Sequence, residues 1–224
     1  MNTAKPDRSR PQTNSDTKPT SMRGSLFIVS APSGAGKTSL IKAMLESLAG
    51  ITVSVSHTTR PPRPGEQNGV HYHFVDVETF LAMQSQGQFL EHAKVFDNYY
   101  GTSKASVEDM LNQGLDVILE IDWQGARQVR ALFKDSQSIF IMPPSRQVLV
   151  ERLTQRGQDD QAVIARRMQD AVNEISHYDE FDYIVINDEF EVALQQLSAI
   201  IITARLTLQH QRNRNQTLLL DLLQ

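Results

Sequence analysis

From residue 25 onward, short apolar runs recur along the chain: SLFIVS (25–30), ITVSVS (51–56), LDVILEI (115–121), SIFIM (138–142) and YIVIN (183–187). Each has the length of a strand, and most are apolar at successive positions, which predicts buried strands. Between most of them lie helical patterns, at 37–48, 123–134, 146–156, 160–176 and 189–210, several with apolar residues three and four apart. Strands that alternate with helices predict right-handed crossovers and a parallel, helix-covered sheet, an α/β fold.

Two stretches depart from that alternation. The segment from His57 to Gly114 is too long for one crossover and holds its own turn signals, RPPRPGEQNG, so it reads as an inserted lobe. Residues 1 to 23 are rich in Pro, Ser, Thr, Asn and charge with almost nothing apolar to anchor them, which predicts a disordered tail. At the other end, 204–224 sets the polar QHQRNRNQ before Leu218, Leu219, Leu220, Leu222 and Leu223, a helix whose leucines need cover from the domain or from a second subunit. No repeat at solenoid periods is visible.

Composition narrows the function classes. A chain of 224 residues with 40% hydrophobic residues supports one sizeable core. The net charge of -4 gives no global attraction to nucleic acid or to anionic membrane, so small-molecule ligands are expected. With no cysteine, disulfides, thiolate nucleophiles and sulfur-based metal sites drop out. No apolar run approaches the roughly 20 residues of a membrane helix, and cytoplasmic residence is the expectation.

The sharpest chemical signal follows the first strand. Ala31, Pro32, Ser33, Gly34, Ala35, Gly36, Lys37 and Thr38 sit between SLFIVS and the helical SLIKAMLESL, the strand, loop and helix context of a phosphate loop. Gly34 and Gly36 let backbone N–H groups curl around phosphate oxygens, Lys37 reaches the β/γ-phosphates, and Thr38 can ligate Mg²⁺. Ala31 stands where the usual pattern opens with glycine. The strand LDVILEID ends in Glu120 and Asp122, acids placed to hold a metal or its waters. The lobe carries Arg60 and Arg63 on a proline-stiffened loop, where paired guanidinium forks suit a phosphate monoester. No Asn-Lys-x-Asp guanine motif of a GTPase is present. His71 and His73 could share a strand face as metal ligands, but ordinary packing is the expectation in the absence of further ligands at suitable spacing, and Trp123 is expected to pack in the core.

These segments, VSAPSGAGKT, SVSHTTRPPRPGE, HYHF, FLEHAKVFDNYYGT, ILEIDWQGA, IMPPS, ERLTQRGQD and YIVIND, resemble the guanylate kinase family in order and spacing from about Gly24 to Arg205. The resemblance implies a phosphate-loop sheet domain over 24–205, with a GMP-binding lobe at about 54–104, a helical lid at about 150–175 and a helical extension over 206–224. By the same resemblance Arg60, Arg63, Tyr72 and Tyr100 clamp the GMP phosphate, and Ser56, Glu91 and Thr102 read guanine. Arg152, Arg156 and Arg167 close over the transferring phosphate, while Asn187 and Asp188 wall the adenine side. Asp122 matches the family acid, whereas Glu120 stands where aspartate is more usual; both are expected near GMP or the metal. The implied ligands are ATP and GMP with Mg²⁺. Two other readings stay open at this point: a non-catalytic binding module of the same fold, and a phosphate-loop kinase for another nucleoside monophosphate.

Overall fold

The computed structural model describes residues 23–95, 97–155 and 161–224. The tail expected over 1–23 lies outside these apart from Arg23, as does Arg156.

Five strands form an all-parallel sheet: β1 (Leu26–Ser30), β2 (Ile51–Val53), β7 (Asp116–Glu120), β8 (Gln137–Met142) and β9 (Tyr183–Ile186), in the order β2-β7-β1-β8-β9. All five predicted strands are there. β1 shows why they are so uniformly apolar. Its Phe27 and Val29 point to one face, against α1 (Lys37–Ser47) and α7 (Phe190–Arg205). Leu26 and Ile28 point to the other, against α3 (Lys104–Asn112) and α4 (Trp123–Leu132). A strand covered on both sides has no solvent face to mark with polar residues. Full burial of each such side chain contributes about 1.5–3 kcal/mol.

The predicted insertion is a lobe with its own sheet. β3 (His57–Thr58), β4 (His73–Phe74), β5 (Phe89–Val95) and β6 (Asn98–Ser103) pair in the order β4-β3-β6-β5, and α2 (Val77–Ser85) packs beside them. β5 and β6 are antiparallel, with a bulge between Phe89 and Glu91. Phe80, Phe89 and Tyr99 stack in its centre, with ring centroids 4.5 and 5.4 Å apart.

Three expectations need correction. The run 51–56 is strand only to Val53; the Ser54 N–H still donates to the Ile118 carbonyl, after which the chain leaves the sheet for the lobe. The helix expected over 189–210 ends at Arg205, and Thr207 opens α8 (Leu208–Arg214) by accepting the His210 N–H. The last segment is therefore two short helices, α8 and α9 (Gln216–Asp221), with Leu218, Leu219 and Leu220 exposed on α9 and Leu222 and Leu223 exposed just after it. Trp123 is not core packing: half-buried, it stacks on His177 at 3.7 Å between centroids, with the Arg127 guanidinium 4.6 Å from its ring centre.

α5 (Arg146–Gln155) and α6 (Gln161–Ile175) span the stretch where a lid is expected and pack together through Leu149, Leu153, Met168 and Ala171.

Candidate active site

The loop after β1 turns on Gly34 and Gly36, whose φ angles of 90° and 91° lie in the left-handed region that other residues adopt only at a cost. No side chain caps the N-terminus of α1, so its first N–H groups stay available to an anion, with the helix dipole behind them. From below, Asn187 braces the loop. Buried at the end of β9, it donates from its side-chain amide to the Ala35 carbonyl at 2.7 Å and from its own N–H to the Met142 carbonyl at 2.8 Å. A β-carbon at position 36 would collide with that amide, a second reason for glycine there. Asn187 thus holds the loop through its amide nitrogen, and Asp188 beside it is exposed. Arg152 of α5 joins the brace: one guanidinium nitrogen donates to the Asn187 carbonyl at 3.0 Å, and the other terminal nitrogen is buried with no partner.

Across from the loop, three side chains of the lobe form a hydrogen-bonded line. The Thr102 hydroxyl donates to Glu91 Oε1 at 2.6 Å and lies 3.2 Å from the Ser56 hydroxyl. Thr102 is fully buried and Glu91 is 3% exposed. Burial pushes the Glu91 carboxyl up to about 7; the nearby Asp122 charge adds to this, and the Thr102 hydrogen bond opposes it.

Between loop and lobe lies a cavity of about 140 Å³ lined by Ala31, Lys37, Ser56, Tyr72, Glu91 and Tyr100, with Glu120, Asp122 and Glu174 among its other walls. It is smaller than the roughly 300–1,000 Å³ of a pocket for a whole drug-sized ligand, as suits the junction of two sites. Tyr72 and Tyr100 meet edge to face at 6.0 Å, and Asp122 caps α4 by accepting the Gly125 N–H at 2.9 Å.

The residues expected to clamp the GMP phosphate are placed as follows in the lobe. Arg60 is engaged by Glu66 through two hydrogen bonds of 2.8 and 2.9 Å, and its guanidinium lies 5.5 Å from the centre of the Tyr72 ring. Arg63 is exposed, with its backbone N–H donated to Glu66. Neither arginine lines the cavity, nor does Thr38, whose side chain is exposed on the first turn of α1. Arg167 is half-buried on α6, one turn before Asp170. His73 stacks on His57 at 4.7 Å, and the exposed His71 accepts the Gln67 N–H.

Glu174 on α6 was not foreseen. Burial pushes its carboxyl up to about 7 against the pull of Lys37, and its Oε2 is buried without a hydrogen-bond partner. The sequence signal was slight: an acid one helical turn after Asp170 on an amphipathic helix.

A phosphate loop at the end of the central strand, facing a separate lobe that offers a buried carboxylate and hydroxyls, defines a phosphate-loop nucleotide kinase. Comparison with known proteins specifies the family. A guanylate kinase family model matches residues 23–204. The guanylate kinase of Chromohalobacter salexigens is 64% identical over 183 residues, covering 82% of this chain and 85% of that protein. The guanylate kinase of Nitrosococcus oceani is 61% identical over 203 residues, 91% of this chain and 100% of that protein. The crystal structure of guanylate kinase from Anaplasma phagocytophilum superposes with a TM-score of 0.69 at 35% identity, covering 85% of this chain and 91% of that one. The chain belongs to the guanylate kinase family.

Proposed function

We propose that the cavity between Lys37 and Glu91 is where the two substrates of a guanylate kinase meet: ATP reaches it along the phosphate loop, and GMP reaches it from the lobe. The reaction moves the γ-phosphate of ATP to GMP, giving ADP and GDP. The observation that carries the residue assignment is the lining itself, which joins Lys37 to Ser56, Glu91, Tyr72 and Tyr100 in one space.

Each part has a role that its chemistry supports. The loop N–H groups and Lys37 hold the β- and γ-phosphates and stabilise charge that develops in transfer. Glu91 accepts the N1–H and N2–H₂ donors on the edge of guanine; adenine aims a lone pair at the same carboxylate, a mismatch of about 1–3 kcal/mol or more. Ser56 and Thr102 fix that carboxylate and complete the polar edge. Arg60 and Arg63, with Tyr72 and Tyr100, take the GMP phosphate once Arg60 exchanges Glu66 for the stronger dianion. Arg152, whose free terminal nitrogen already lies beside the loop brace, closes on the transferring group together with Arg167 and Arg156. No side chain acts as nucleophile; a GMP phosphate oxygen attacks the γ-phosphorus in line, and closure of lobe and lid excludes water.

The residues present fit a magnesium ion. Thr38 offers an exposed hydroxyl on the first turn after Lys37, and Asp122 faces the same cavity with oxygen donors that suit a hard cation, directly or through water. Among the described residues no three carboxylates or imidazoles gather into a cage, which fits an ion that takes its other ligands from phosphates and water. When bound, it neutralises charge on the phosphate oxygens.

The deciding experiment is a coupled assay of ADP production with ATP·Mg²⁺ and each of GMP, AMP, CMP and UMP. Turnover with GMP alone, lost in Lys37→Ala and less selective in Glu91→Ala, is the expected result. GMP binding without turnover on any acceptor leaves a binding module as the better account. The exposed leucines of the last helix support self-association at that end, which sedimentation across a concentration series checks. Among the described residues no helix is long and apolar enough to cross a membrane, in keeping with an enzyme of the cytoplasm.

A further inference from the structure

One element touches both halves of the site. α4 begins at Asp122 on the phosphate side, and its inner face lies against β5, the strand that carries Glu91. Besides the apolar packing of Leu90 with Ala126 and Val129, two residues to which the site as described gives no role make this contact.

The first is Gln128. Its side-chain amide accepts the His92 N–H at 3.1 Å and donates to the His92 carbonyl at 2.8 Å. It thereby satisfies both backbone groups of the residue directly after Glu91, as a neighbouring strand would, and fixes the height of β5 against the helix.

The second is Gly125. A β-carbon built there would lie 2.6 Å from Glu91 Oε2, 3.1 Å from its carboxyl carbon and 3.3 Å from Cβ of Ile121. A helix prefers alanine to glycine, so the helix itself does not account for this residue. What the missing side chain provides is room for the helix backbone to stand directly behind the carboxylate. The other oxygen, Oε1, is held from the opposite side by Thr102 at 2.6 Å. Each oxygen keeps a second lone pair for a ligand.

We infer that Gly125 and Gln128 are positioning residues for base discrimination: they seat α4 against β5 so that Glu91 presents both oxygens to the acceptor base at one fixed angle. This rests on the reading of Glu91 as the acceptor of the guanine N1–H and N2–H₂ groups. A bidentate contact is sensitive to rotation of the carboxylate, because the second hydrogen bond is lost before the first. Hypoxanthine, the base of IMP, keeps N1–H and lacks the exocyclic amine, so the ratio of kcat/KM for GMP over IMP reads that second bond.

The test measures this ratio, together with KM for ATP, in the unaltered protein and in Gly125→Ala, Gln128→Ala and Glu91→Gln. The ratio is expected to fall by about tenfold in Gly125→Ala and by a smaller factor in Gln128→Ala, chiefly through KM for GMP, with KM for ATP within about twofold of the original. If Gly125→Ala does not fold, Gln128→Ala carries the test alone. Loss of discrimination in Glu91→Gln, with both neighbours retaining it, overturns the positioning role and leaves Glu91 as the reader. Discrimination that survives Glu91→Gln removes the reader itself. A general loss of kcat in the two α4 variants, with the GMP over IMP ratio unchanged, marks a merely structural role and also overturns the inference.

Discussion

The phosphate loop and the lobe proposed to read the base place functional groups in opposite ways. In the loop a run of consecutive residues, Ala31 to Thr38, forms the proposed site, and the backbone offers most of its donors; the Asn187 side chain holds that backbone. In the lobe Ser56, Glu91 and Thr102 come from three separate segments, and the side chains supply the chemistry while the sheet and α4 hold them. A backbone site needs a particular local conformation, which two glycines at positive φ define. A side-chain site needs distant pieces of chain to arrive in register, and each residue of the line depends on the next. Damage in the loop should therefore strike catalysis, whereas damage in the lobe should strike the choice of acceptor.

The strongest test of that division is Lys37→Ala. It removes the one charged side chain of the loop, and kcat should fall roughly 10²–10³-fold with KM for GMP little changed. A variant that instead lost GMP affinity would break the division at its centre.

Next in size is Glu91→Gln. Replacing a charged acceptor with an amide that presents a donor to guanine should raise KM for GMP about 10- to 100-fold, with KM for ATP left alone. Steady-state kinetics with each substrate varied in turn makes the separation.

The same residue sharpens the comparison through pH. Only the ionised carboxylate can accept from N1–H and N2–H₂, and burial first, with the Asp122 charge second, has pushed its titration to about 7. KM for GMP should therefore fall as pH rises through 7 and be about tenfold higher at pH 6 than at its plateau. This step should be missing from the profile of Glu91→Gln, which also accounts for titration of the GMP phosphate itself. Stability follows with a worked sign. The folded carboxyl titrates above its unfolded value, so its cost to folding grows as pH rises from about 4.5 to about 7 and is constant beyond. Glu91→Gln should stabilise the protein more at pH 8 than at pH 5, read by thermal unfolding at the two values.

The smallest effect belongs to Asn187→Ala. The buried hydrogen bond to Ala35 is worth about 1 kcal/mol, and its loss should raise KM for ATP about fivefold and lower the melting temperature modestly, without altering preference among acceptors.

How much of this was legible in the sequence follows the same divide. The five core strands and the phosphate loop could be read because each is contiguous, and burial on both faces of the central strands β1, β7 and β8 leaves an apolar signature. In the lobe, the resemblance to the guanylate kinase family pointed to Ser56, Glu91, Tyr72 and Tyr100, and the cavity gathers them. Pairings between distant side chains were hidden. Arg60 and Glu66 stand close together in the sequence, but nothing there says that the carboxylate would occupy the guanidinium. Asn187 reads as part of a polar strand end, and only the fold brings it beneath Ala35, 152 positions away. Glu174 looked like one more acid on a helix until α6 set it against Lys37. The break at Leu206 was hidden because the apolar spacing continues past the point where Thr207 starts a new helix.

The chain has a single tryptophan, and the fold has put it where α4 meets the end of α6, sandwiched against His177 with Arg127 close by. Arg127 in turn grips Glu180, and so does His177. An indole in van der Waals contact with an imidazole and a guanidinium has an emission set by those two neighbours. The closure proposed for the α5–α6 pair would change them, and the test needs no label: a change in this emission on mixing with ATP and GMP, followed in a stopped-flow instrument, is the expected outcome.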